Sequence, residues 1–101
     1  MRQLHERTTK MKEIIIFKSV EPFFTKEADG RKPNTIRQLS DGDPRRDTLL
    51  KWIGLDSYGQ IEITLEGGPK GFRRQVTDVS IYQNWFIISW KHPEPLFHTK
   101  T

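Results

Sequence analysis

The sequence predicts an α+β domain that is mainly β: a small, partly open β-barrel of about five strands with one or two short helices. Three observations predict it. The chain has 101 residues, room for one hydrophobic core and not for two. Its clearest pattern, Gln60 to Glu66, alternates apolar and polar residues with period two, as a half-buried strand requires. The remaining apolar runs are short, β-branched or aromatic, and are separated by Gly, Pro, Asn and Asp. Strands of that length leave apolar faces and open edges, which barrel closure or a covering helix removes.

Met1 to Lys10 is polar and without period, so residues 1–10 read as a disordered extension, with Met11 an alternative start. Residues 11–91 form the expected domain and residues 92–101 a proline-containing tail. Glu13 to Lys18 is an apolar β-branched run, expected to be a strand buried on both faces. Pro22 suits the first turn of a short helix, with Ser19 or Glu21 near its cap, Phe23, Phe24 and Ala28 on one apolar side, and Gly30 at its end. Pro33 holds Lys32 extended, and Asn34 to Leu39 reads as the next strand. Ser40 to Arg46 is turn-rich, and Asp47 to Ile53 reads as a helical turn carrying Leu49, Leu50 and Trp52. Ile61, Ile63 and Leu65 share one face of the Gln60–Glu66 strand, and the glycine-rich turn after it predicts an antiparallel partner. That partner, Phe72 to Tyr82, slips its alternation between Val76 and Val79, which predicts a bulge near Thr77–Asp78. Trp85 to Trp90 closes the list as an apolar strand, with Trp85 and Trp90 expected in the core.

Composition sets outer bounds on function. No cysteine is present, which excludes disulfides and thiolate metal sites. His5, His92 and His98 lack metal-ligand spacing, so no metal is expected. No cofactor is expected either, since Gly67-Gly68-Pro69 is not followed by the helix and Lys-Ser/Thr of a phosphate loop. No apolar run nears the roughly 20 residues of a membrane span, and a soluble cytoplasmic protein is the expectation. The net charge of +4 favours an anionic partner, all the more if Arg31/Lys32/Arg37, Arg45/Arg46 and Lys70/Arg73/Arg74 share one surface.

The segment Gly30-Arg31-Lys32-Pro33-Asn34-Thr35-Ile36-Arg37 carries the chemistry. On an extended chain Thr35 and Arg37 project to one face, and the turn at Lys32-Pro33 can bring Lys32 back to it. A cation, a hydroxyl and a guanidinium in one hollow hold a phosphate or a base edge. The alternative is a surface strand with ordinary charges.

This segment resembles the Gly-x-Lys-x-x-Glu-x-Arg signature of the ASCH superfamily of PUA-like β-barrels, with Thr35 at the glutamate position. Small bacterial amidohydrolases of that superfamily, which deacetylate N4-acetylcytidine, carry a similar Gly-Arg-Lys-x-x-Thr-Ile-Arg run. The segment is also similar to phage and prophage proteins with a Lys-Pro-Asn-Thr-x-Arg run and a closing Ile-Ser-Trp strand. The resemblance implies a pocket for RNA or a nucleotide-type ligand around Arg31, Lys32, Thr35 and Arg37. In its hydrolytic form it implies Lys32 as nucleophile or base and Thr35 as its partner. It also asks for a later acid, for which Glu62, Glu66 and Asp78 are the candidates by location. A third implication is an accessory protein that binds a host protein. An acid beside Lys32 favours hydrolysis; an open basic groove favours binding.

Other residues carry two readings each. Arg73 and Arg74 contact phosphates at the pocket rim or guard a strand edge. Arg45 and Arg46 shape the pocket mouth or belong to a solvated, ion-paired turn. Trp52 is the tryptophan expected to stack on a base. Asp78 orients Lys32 or Arg37, or makes a structural salt bridge. Oligomeric state is not readable from the sequence.

Overall fold

The computed structural model describes residues 13–93. The expected extension 1–10, the alternative start at Met11 and all of the tail beyond Pro93 lie outside the described residues. The elements in chain order are β1 (Ile14–Ser19), α1 (Phe23–Ala28), β2 (Asn34–Gln38), α2 (Pro44–Leu55), β3 (Gln60–Leu65), β4 (Gly71–Tyr82) and β5 (Trp85–Trp90). The strands form one five-stranded sheet in the order β1-β3-β4-β5-β2. Only β1 and β3 run parallel; the other pairings are antiparallel.

The long strand β4 bends the sheet into a partly open barrel. Its first half pairs with β3 and its second half with β5, and the register shifts between Val76 and Asp78. One extra residue there lets Val76 and Val79, three apart, both face inward, and the added twist curls the sheet. The edge strands β1 and β2 are not hydrogen-bonded to each other. They face one another through side chains instead. Arg37 of β2 and Arg45 of α2 each hold a guanidinium 4.7 Å from the centroid of the Phe17 ring on β1.

The core is the inward row of each strand plus one stripe of each helix. Ile15, Phe17, Ile61, Ile63, Val76, Val79, Phe86, Ile88 and Trp90 meet Phe24 from α1 and Leu49 and Trp52 from α2. At roughly 1.5–3 kcal/mol per buried apolar side chain, this cluster is the main favourable contribution to folding. Gly59 permits the close approach of β3 to β1, because a Cβ there would collide with the carbonyl of Glu13 and the ring of Trp52.

Four expectations need correction. Strand β1 is buried on one face only, with Ile14 and Ile16 39% and 52% exposed, because it is an edge strand with no helix on its outer side. Helix α2 starts at Pro44 rather than Asp47. The Asp43 carboxylate accepts from the Arg45 backbone N–H at 2.9 Å, and Pro44 follows as a first helical residue, so the supposed turn is an N-cap. Trp52 and Trp85 exchange roles. Leu49 and Trp52, one turn apart, face the core, and the Trp52 indole N–H donates to Glu13 at 2.9 Å, so Trp52 is 3% exposed and offers no stacking face. Trp85 has the parity of Ile87, opposite to buried Phe86 and Ile88, and is 42% exposed.

Candidate functional site

The turn after α1 positions the site. The Glu21 carboxylate accepts from the Thr25 N–H at 3.0 Å and so holds the start of α1. At the other end Gly30 adopts φ +91°, and the Lys32 N–H returns to the Lys26 carbonyl at 3.0 Å. A side chain at Gly30 would also strike the His92 ring. The Trp90 N–H bonds the Pro33 carbonyl at 3.1 Å, which zips the end of β5 to the start of β2. Lys32 is thereby turned back over α1 while Thr35 and Arg37 point inward from β2.

Lys32, Thr35 and Arg37 line one cavity of about 350 Å³ between the end of β1, α1 and β2. The fourth polar wall is Glu27, which the sequence reading missed. Its side chain is 2% exposed, yet it is a carboxylate. Glu27 accepts from the Ser19 hydroxyl at 3.1 Å and lies 3.5 Å from Lys32 Nζ. Lys32 Nζ also donates to the Asn34 carbonyl at 2.8 Å. Arg37 Nε donates to the buried Thr35 hydroxyl oxygen at 2.9 Å. Burial lowers the pKa of Arg37, with Glu27 opposing that shift and Arg45 adding to it, which places an acid and a second base in its electrostatic neighbourhood. Phe23, Val20 and Ile36 form an apolar rim. With Lys18 and Ser19 also in its lining, the hollow combines a carboxyl group, three cationic donors and two hydroxyls with apolar walls.

The other predicted site residues stand elsewhere. Arg31 is exposed and paired with Asp29 at 2.8 Å, outside the cavity lining. Arg45 pairs with Asp43 at 2.7 Å and donates to the Ile16 carbonyl; Arg46 pairs with Asp41 at 3.4 Å. Both belong to the first turn of α2 and act as local ion pairs. Arg73 pairs with Glu62 across β3 and β4 at 2.8 Å. Arg73 and Arg74 line a different cavity, not the rim of the Lys32 pocket. None of the three proposed acids reaches Lys32. Lys32 Nζ contacts only Glu27 and Asn34 among the described residues, while Glu62 is held by Arg73, Glu66 is exposed and Asp78 accepts from Ser80. Phe24 and Glu27, one turn apart, are the two buried residues of α1.

No family model, no curated protein and no solved structure matches the chain. The likeness of Gly30–Arg37 to the ASCH signature therefore rests on those eight residues alone. Among the described residues there is no cluster of potential metal ligands and no helix long and apolar enough to cross a membrane.

Proposed function

We propose that the Glu27–Lys32–Thr35–Arg37 cavity binds a nucleobase-type ligand, a nucleoside or nucleotide, in the manner of an ASCH-like pocket. One observation carries this reading: buried Glu27 lines a single cavity of about 350 Å³ together with Lys32, Arg37, the Thr35 hydroxyl and apolar walls. A base edge presents amine donors beside ring-nitrogen and carbonyl acceptors. Glu27 only accepts, Lys32 and Arg37 only donate, and Thr35 does both. The apolar rim of Phe23, Val20 and Ile36 suits the faces of the ring. A broad polyanion surface has less support, because Arg31, Arg45, Arg46 and Arg73 each have a carboxylate partner.

A second reading is hydrolysis of an N4-acylated cytidine, favoured by the acid beside Lys32. Water would add to the acyl carbon and the C–N bond would break, giving a carboxylic acid and the free amine. Lys32 would donate to the carbonyl oxygen, and Glu27 would take a proton from the attacking water and pass it to the departing N4 nitrogen. Against this stands Thr35, whose oxygen already accepts from Arg37.

Calorimetric titration with cytidine, cytidine monophosphate and N4-acetylcytidine tests the first reading. Lys32→Ala and Arg37→Ala each remove a charged hydrogen bond of about 1.5–3 kcal/mol, roughly ten- to hundredfold in affinity. Their circular dichroism remains that of the wild type. Two variants that bind like wild type would overturn the pocket assignment. Release of cytidine from N4-acetylcytidine, lost in Glu27→Gln, separates hydrolysis from binding alone.

A further inference from the structure

A second polar cavity, of about 340 Å³, lies where β3, β4 and the segment after β5 meet, bounded by Gln60, Arg74, Gln75, Lys91 and His92 among others. Its lining is rich in donors and short of acceptors. Arg74 spends two guanidinium nitrogens on the carbonyls of Arg73 and Ala28, at 2.7 and 3.0 Å. Its Nε is buried and has no acceptor among the described residues, and the same holds for His92 Nδ1. The Gln75 amide nitrogen is already given to the carbonyls of Tyr58, Gly59 and Val76. Of the acids nearby in the structure, Glu62 is bound to Arg73 and Asp29 to Arg31. Arg74 and Lys91 thus keep uncompensated charge among the described residues.

Each buried donor left unpaired costs about 1–3 kcal/mol, so a group with several acceptor oxygens would be held there by the donors themselves. We propose that this cavity is an anion site that takes a phosphate group through Arg74, Lys91 and His92. It is separate from the Lys32 cavity and does not depend on what that cavity binds. Two contacts lie between them: the His92 ring packs against the Gly30 turn, and Arg74 donates to the Ala28 carbonyl at the end of α1.

The test is an NMR titration of the full ¹⁵N-labelled chain, following the Arg74 Nε–H and the His92 ring. The probes are inorganic phosphate, a nucleoside 5′-monophosphate and a short single-stranded oligonucleotide, each against sodium chloride at matched ionic strength. The expected result is a saturable shift of both signals that chloride does not reproduce, and the tightest probe identifies the source of the phosphate. Lys91→Ala, an exposed change that spares the core, weakens the response severalfold, and Lys32→Ala leaves it intact. Absence of a saturable shift, or a response that Lys91→Ala and His92→Gln both leave unchanged, overturns the proposal.

Discussion

Glu27 is the residue on which the pocket chemistry turns. The Glu27 carboxyl group, 2% exposed, has lost its hydration and is held instead by the Ser19 hydroxyl and Lys32. Glu27→Gln keeps the shape and removes the charge. Its expected cost is about 1–3 kcal/mol, read from urea unfolding at neutral pH, together with loss of ligand affinity. Glu62→Gln breaks a partly exposed pair with Arg73 and costs less than about 1 kcal/mol. Equal effects of the two substitutions would contradict the assignment of Glu27. This residue also marks where sequence reading stopped. Lys32, Thr35 and Arg37 were legible because strand alternation and the Lys32-Pro33 turn dictate their directions. Glu27 was not, because a glutamate on a two-turn helix is ordinarily solvated, and only packing against β1 and β2 buries it.

Among the elements, α2 owes its start to one side chain. Asp43 accepts from the Arg45 backbone and guanidinium, and these bonds lower its pKa from 3.8 to about 2. The carboxylate form is therefore favoured in the folded state. Its contribution to stability is complete above the ordinary carboxyl pKa and is lost as pH falls from about 4 towards about 2. In a series of urea midpoints across that window, wild type loses stability faster than Asp43→Asn, which caps without titrating. Parallel curves would remove Asp43 from the acid response. The bulge of β4 shows what sequence can say about an element: the slip between Val76 and Val79 was visible as broken alternation. The first turn of α2 was misread because Asp-Gly-Asp-Pro serves a turn as readily as a cap.

At the scale of the whole molecule, the described residues hold twelve lysines and arginines against eleven acids, and half of those cations sit in local pairs. Arg31, Arg45, Arg46, Lys51 and Arg73 each face a carboxylate within 4 Å. The proposed pocket engages its ligand through Lys32 and Arg37, so binding there displaces few counterions. The expected slope of log affinity against log salt for a single-stranded oligonucleotide is shallow, about −0.7 to −1.4, equivalent to one or two phosphates. Nucleoside binding should hardly respond to salt. Fluorescence anisotropy across a salt series measures both, and a steep slope would point to an extended RNA surface instead of a pocket.

The sequence by itself determined the mainly β class, the order and extents of the strands, and the shared direction of Thr35 and Arg37. These follow from local rules: period-two alternation, the conformations of glycine and proline, and turn chemistry. Tertiary structure alone decided which tryptophan is exposed, which acid meets Lys32, and which arginines are neutralised. Those outcomes depend on contacts between residues distant along the chain, such as Trp52 with Glu13 or Arg45 with Ile16. Local pattern carries no term for them.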